Sequence, residues 1–212
     1  MGIEKAVAEL KKGNMIVLFD DDRREAEADI IFHAKYVTPE RIGVLRKDAG
    51  GLICVALTDA FAAKTGLPFY TDVLVASCFP IGRMACGKTA YGDRPAFSLS
   101  VNHKDVYTGI TDQDRALTIR KITELAESTT PEAKGFVENF YSPGHVFLLI
   151  GRTLEHRKGH TELSLELAKK AGLSGVMVLC EMLGNGKALS KKEAEAYAKK
   201  NKIVFLEGQA VW

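Results

Sequence analysis

"MIVLFDDDRREAEADIIF", residues 15–32, sets two apolar runs on either side of a dense block of charge. The five apolar residues 15–19 have no polar interruption, which predicts a strand buried on both faces. Behind them, residues 20–29 hold six carboxylates and two guanidiniums. Within that block the sequence alternates. Glu25, Glu27 and Asp29 fall on one side and Ala26, Ala28 and Ile30 on the other, a strand periodicity that runs into Ile31 and Phe32. Helical spacing would also bring Glu25 next to Asp29, so the carboxylates converge on either reading.

Outward from this stretch, Ile3, Ala6, Val7 and Leu10 recur at helical spacing until Gly13-Asn14. Thr38-Pro39 is a cap followed by proline at the first helical position, and Gly50-Gly51 ends that helix before a strand over 52–57. A short helix starts at Asp59 and stops at Gly66. Residues 68–95 are broken by Pro68, Pro80, Gly82, Gly87, Gly92 and Pro95. A strand is predicted over 97–101 and a turn over 102–105. Thr111-x-x-Asp114 opens a helix to about Glu127, and Ser190-x-x-Glu193 is a second capping box. Further strands are predicted over 136–140, 145–150 and 175–180, and a helix from Thr161 carries Leu163, Leu167 and Ala171 on one face. Strands and helices that alternate without a fixed repeat or a linker predict a single α/β or α+β layered domain, residues 1–212, with a mixed sheet.

With 212 residues, 46% hydrophobic and 26% charged, the chain has the composition of an ordinary globular domain. Apolar stretches such as 146–150 fall far short of the roughly 20 residues of a membrane span. The opening "MGIEKAVAELKKG" lacks an apolar signal core, which predicts a cytoplasmic protein. A net charge of +2 gives no general affinity for nucleic acid or other polyanions, and the lysines at 191, 192, 199, 200 and 202 read as the solvated face of the last helix. The four cysteines include no CxxC pair; Cys54 and Cys180 sit in apolar runs, where a thiol behaves as a small core residue.

Five segments carry residues capable of chemistry. "GRMACGKT", residues 82–89, satisfies G-x-x-x-x-G-K-[ST], and 73–76 supplies a possible preceding strand. Gly92 and Pro95, however, stand where the following helix must begin, so a loop whose motif arose by chance is the simpler reading. The 20–29 block is either a solvated turn or a site for a hard divalent cation, with Arg24 facing an anionic substrate group. "RKGHTE", 157–162, leads a basic loop into a helix start and could cradle a phosphate; His160 is a metal ligand or merely a hydrogen-bonder there. His156 and His160 have the spacing of some zinc sites, without a matching cysteine pair or HExxH helix. "PGHVF" places His145 at a strand, and "LCEM" ends an apolar strand on Glu181, where partial desolvation suits a general acid or base and a simple cap is the bland alternative.

Together, and in this order, "REAEAD", "GLIC", "TGITDQDRALTI", "PGHVF", "RKGHTE" and "LCE" resemble the 3,4-dihydroxy-2-butanone 4-phosphate synthase family of riboflavin biosynthesis, over residues 3 to 207. The resemblance implies a three-layer α-β-α domain around a mixed twisted sheet and a homodimer with sites near its interface. It also implies a magnesium- or manganese-dependent lyase. Its substrate, the sugar phosphate D-ribulose 5-phosphate, is converted to L-3,4-dihydroxybutan-2-one 4-phosphate and formate through enolisation, dehydration, a carbon shift and loss of C4. The monofunctional form ends near the end of this chain, so no fused cyclohydrolase domain is expected.

Carried onto this sequence, the resemblance makes Glu25 and His160 the metal ligands. It makes His145, Glu181 and Asp29 the catalytic residues. Arg24, Glu25, Glu27, Asp29, Cys54, Thr108, Arg157, Lys158, Gly159, His160, Thr161 and Glu181 would bind the substrate, with Arg157 and the helix start receiving the phosphate. Three departures stand out: Asp22-Arg23 where two acids or a glycine are more usual, Ala28 in place of a glycine, and "FSLSVN" with "TGITDQDR" in place of a threonine-rich strand and "TGISAxDR". None removes a proposed catalytic group. A P-loop protein using 82–89 and an RNA-binding protein of related fold are the competing classes, the latter poorly supported by the near-neutral charge.

Overall fold

The computed structural model describes residues 2–87, 89–129 and 133–212. Seven strands form one mixed sheet: β1 (Ile16–Phe19), β2 (Ala28–His33), β3 (Cys54–Thr58), β4 (Phe97–His103), β5 (Phe140–Gly151), β6 (Val176–Glu181) and β7 (Val204–Glu207). Their order across the sheet is β4-β5-β3-β6-β2-β1-β7. β1 and β7 are parallel, as are β3 and β5, and the other neighbours are antiparallel.

The pleat sorts each strand's residues into two cores, one on each face of the sheet. Val17, Phe19, Ile30 and Phe32 belong to one, with Ile119 and Ile122 of α5 (Asp112–Ala126) and Ala194 and Ala198 of α8 (Lys191–Asn201). Helices α2 (Pro39–Val44), α3 (Asp59–Thr65) and α6 (Ala133–Asn139) contribute Ile42, Phe61 and Phe136 to the same side. Ile16, Leu18, Ile31, Cys54, Met177 and Leu179 form the other core, against Leu10 of α1 (Ile3–Lys11) and Leu163 and Leu167 of α7 (His160–Lys170). This is the expected α-β-α sandwich, and it explains why β1 and β6 read as unbroken apolar runs. Each fully buried Leu or Ile contributes roughly 1.5–3 kcal/mol.

The caps are where the sequence puts them. Thr38, Thr58 and Thr111 each accept a backbone N–H of the first helical turn, and Ser190 with Glu193 forms a complete capping box. At Thr111 only half a box forms, because the Asp114 carboxylate turns to Gly109 N and Thr108 Oγ1. α2 continues through one widened turn, 45–49, and ends on Gly50 at φ 87°, the left-handed value a glycine takes without strain. The lysines of α8 lie on its outer side, apart from Lys191, which pairs with Glu207.

Two expectations are corrected, and one strand was not anticipated. Residues 136–140 are no strand: 136–139 belong to α6 and β5 begins only at Phe140. Phe136 and Phe140 stand four apart and stack at 4.6 Å while Val137 faces solvent, which is helical spacing. The run 73–76 lies within α4 (Tyr70–Ala76), which has no buried residue and leads into a 3-10 segment over Pro80–Cys86. β7 falls on the apolar run 203–206 that follows α8, and β1 offers it a parallel edge. No helix among the described residues is long and apolar enough to cross a membrane.

Candidate active site

The site forms where the ends of β1, β2, β3 and β6 meet the start of α7, and its organiser is Asp20. That buried carboxylate accepts the backbone N–H of Glu25 through Oδ2 and of Glu27 through Oδ1, each at 3.1 Å. Arg24 Nη1 donates to Oδ2 as well, at 3.1 Å, and Asp20 N donates to the Glu27 carbonyl. One side chain thus closes the turn 20–27 in the manner of an Asx turn and fixes where Glu25 and Glu27 point. Ala26, at φ 53°, is held in the left-handed region by this wrap. The alternation seen in sequence therefore has a different cause from the one predicted. β2 begins only at Ala28, so a turn rather than a pleat presents Glu25 and Glu27.

Asp29 is set by the sheet. It pairs with Glu181 across β2 and β6, on the face that carries α7. Cys54, opposite Leu179, shares that face and is buried. Glu181 Oε2 accepts the Leu52 N–H at 2.7 Å, and Gly51 N donates to the Glu181 carbonyl. A Cβ on Gly51 would lie 2.6 Å from that carbonyl oxygen, so glycine is needed for the close approach.

α7 supplies the opposing wall. Gly159 is its N-cap, His160 its first residue, and both His160 and Thr161 are buried. The His160 ring contacts Glu25 Oε2 at 3.4 Å through Nδ1 and Asp29 Oδ1 at 3.6 Å through Nε2, and Nε2 also meets the Glu27 carbonyl at 3.1 Å. Asp20, Glu25 and His160 bring three ligand atoms within 4.8 Å of one another. Asp29 Oδ1 is buried without a hydrogen-bond partner. The set of hard carboxylate oxygens with one imidazole suits magnesium or manganese.

Electrostatics follow the crowding. Burial, reinforced by Glu181, Glu25 and Glu27, pushes Asp29 well above the carboxylate range against the pull of His160. Burial depresses His160, but Asp29, Glu25 and Asp20 more than offset it and shift the imidazole above its usual value. Burial raises Glu25, yet contacts with His160 and Tyr91 and the Arg24 charge keep it ionised and far below its usual value. Burial and the Glu25 charge raise Glu27. Burial drives the Cys54 thiol upward, so it enters as a neutral thiol.

Glu25, Glu27, Asp29, Cys54, Arg157, His160, Thr161 and Glu181 line one cavity of about 170 Å³, together with Thr89 and Tyr91. Arg24 lies beside it, paired with Glu25, Asp20 and Asp93. Three expected residues lie elsewhere. Lys158 is exposed and rests over the Trp212 ring at 4.3 Å. Thr108 is exposed and bonded to Asp114. His145 is exposed on β5, where Asn102 accepts its backbone N–H, two residues before Phe147, the partner of Cys54.

Sequence reasoning missed Asp20, Asp93, Tyr91 and Glu162. The signal for Asp20 was present: an Asx residue at a strand end ahead of a turn is a backbone acceptor. Glu162, in the first turn of α7, reaches back to Arg157 of the preceding loop at 2.5 Å, a contact that no helical spacing announces. Asp93 and Tyr91 lie in a loop without periodicity. The 82–89 motif shows no phosphate-loop geometry among its described residues, since a helix precedes it, its first part is 3-10, and residues 89–92 form a turn. Lys88 lies outside the described residues.

The sequence profile of the 3,4-dihydroxy-2-butanone 4-phosphate synthase family matches residues 4–212. The Methanosarcina mazei 3,4-dihydroxy-2-butanone 4-phosphate synthase is 43% identical over 99% of this chain and 89% of its own length. The Methanothermobacter thermautotrophicus protein of the same name is 40% identical over 97% of this chain and 92% of its own. A crystal structure of 3,4-dihydroxy-2-butanone 4-phosphate synthase in complex with two magnesium ions superposes with a TM-score of 0.79 at 28% identity, covering 99% of this chain and 94% of that one.

Proposed function

Because the chain belongs to the 3,4-dihydroxy-2-butanone 4-phosphate synthase family, we propose that its cavity converts D-ribulose 5-phosphate to L-3,4-dihydroxybutan-2-one 4-phosphate and formate, with Glu25 and His160 holding a divalent cation. The observation that carries this is the convergence of Glu25, His160, Asp29 and Glu181 on one pocket beside two largely buried arginines, Arg24 and Arg157. Magnesium or manganese bound there would polarise the ketone and stabilise the enediolate. The unpartnered Asp29 Oδ1 is a further oxygen available at that position.

The chain's own residues do the rest. Arg157 and the start of α7 hold the phosphate end of the substrate, and Gly159 leaves room for both guanidiniums, since a Cβ there would collide with Arg157 and Arg24. That orientation sends the sugar toward Glu27, Asp29 and Glu181. Glu181 takes and returns protons through the carboxylate oxygen not bound to Leu52 N, and Asp29, sealed from water beside His160, holds the second proton. Cys54 and Leu149 close the floor and exclude water from the enolised sugar. Purified protein with magnesium should release formate from ribulose 5-phosphate, and Glu181→Gln should not; absence of formate from the wild type overturns the reading.

A homodimer belongs to the same reading. α4 and the segment after it, packed beside the edge strand β4, expose Val75, Phe79, Ile81 and Met84, an apolar surface of the kind that a partner covers. Tyr107 and Ile110, flanking Thr108, are exposed too. A second copy seated there would bring Thr108 and His145 toward a pocket they do not line in their own chain. The molar mass in solution by light scattering tests the dimer.

A further inference from the structure

We propose that Asp93 is an internal stand-in for the substrate's anionic group, occupying the seat between Arg24 and Arg157 until a phosphate displaces it. The proposal rests on the reading of that seat as phosphate-facing. A single oxygen, Asp93 Oδ2, accepts from Arg24 Nε at 3.1 Å and Arg24 Nη2 at 3.0 Å, and it approaches Arg157 Nε at 3.5 Å. The remaining edges of both guanidiniums are tied back. Arg24 Nη1 is held by Asp20 and Glu25, and Arg157 Nη1 by Glu162. The free edge of Arg24, Nε and Nη2, and the Nε of Arg157 face the Asp93 oxygen.

The carboxylate underfills this seat. Arg157 is 9% exposed and its Nε has no hydrogen-bond partner, although Asp93 is the anion beside it. One oxygen cannot satisfy three N–H groups on two planar forks, whereas a tetrahedral anion offers an oxygen to each fork and another to the helix start. Arg24 and Arg157 are nearly sealed, while the Asp93 side chain is 26% exposed and has a route outward.

Asp93 also sits on a unit that can move as one. Thr89 N and Oγ1 donate to the Asp93 carbonyl, and Asp93 N donates to Thr89 Oγ1, closing a small turn with Gly92 at φ 86°. Tyr91, between them, lies over the Arg24 guanidinium at 4.7 Å and bonds to Glu25. The turn therefore touches the anion seat through Asp93 and the proposed metal ligand through Tyr91. Displacing Asp93 loosens both contacts together, so arrival of the phosphate end is felt at Glu25.

The experiment is calorimetric titration of the full-length protein with inorganic phosphate at fixed magnesium, alongside steady-state formate release. Asp93→Asn should bind phosphate about tenfold more tightly, the factor gained when a seat open about a tenth of the time becomes open always. KM for ribulose 5-phosphate should fall with it. Thr89→Val, which loosens the turn without touching either arginine, should shift both constants the same way, and Arg157→Gln should abolish phosphate binding. Unchanged or weaker phosphate binding in Asp93→Asn overturns the proposal, as does a raised KM with a lowered kcat, which is the mark of a group that merely positions the arginines. Tighter phosphate binding without formate release in any form leaves Asp93 its role and removes the lyase reading. Formate release without tightening does the reverse.

Discussion

Asp29 and Glu181 stand directly opposite each other across the antiparallel pair β2 and β6, two carboxylates on one face of the sheet. Like charges in cross-strand register destabilise a sheet. Here the conflict is eased by difference in setting: Asp29 is 1% exposed and faces His160, while Glu181 is half-buried and anchored to Leu52 N. Asp29→Asn should therefore raise the urea midpoint at pH 7 in metal-free buffer, by about 1 kcal/mol of stability, while abolishing formate release. A fall in both would mean that Asp29 is structural.

Gly51 is a separate test of the Glu181 position. A Cβ at Gly51 has no room against the Glu181 backbone. Gly51→Ala should cost about 1–3 kcal/mol and lower kcat, because relief comes by shifting the end of β6. Chemical denaturation and steady-state rates on one preparation check both halves.

Ser190→Ala provides the contrast. The Ser190–Glu193 box satisfies two backbone N–H groups at the start of α8, away from the pocket. Its loss should cost about 1 kcal/mol with kcat and KM unchanged. A change in kcat would tie α8 to the site by a route the contacts do not show.

His33 gives a pH signature. Its Nε2 meets Ser174 O at 2.9 Å and its Nδ1 accepts the Lys35 N–H, so the neutral ring fits, and burial lowers its pKa. The unfolded chain then binds the proton more readily. This contribution is fully present above the unfolded histidine value of about 6.5 and is lost as pH falls from there toward the folded value. His33→Gln should flatten the pH dependence of the urea midpoint in that window; an unchanged slope would assign it to another group.

His145→Ala and Glu181→Gln address the second copy. Each should be inactive alone. Co-expressed, so that mixed dimers form, they should recover formate release if His145 serves the neighbouring pocket. No recovery in verified mixed dimers would place His145 in its own chain's site.

The two-faced sheet was legible because burial on both sides writes itself as unbroken apolar runs, and the caps because a single side chain determines each. Residues 136–140 misled because Phe136 and Phe140 are compatible with either period over so short a window. In the site, Glu25, His160 and Glu181 were legible through resemblance, as an ordered set of short motifs. Asp20 was visible as charge but its work is done on backbone N–H groups, which sequence does not display. Asp93 and Tyr91 were illegible for another reason: their contacts span nearly seventy residues from a segment that glycine and proline leave without periodicity.

The turn closed by Asp20 has a thermodynamic consequence as well. It gathers Glu25 and Glu27 beside Asp29 and Glu181 in a pocket where His160 is the nearest compensating charge besides the arginines. The unfolded chain, with those groups dispersed in water, has no such concentration of negative potential. Any small divalent cation that enters the pocket is therefore bound by the native state alone, and by mass action its free concentration becomes a term in the folding equilibrium. The melting temperature of this protein should thus serve as a readout of cation occupancy even when no substrate is present.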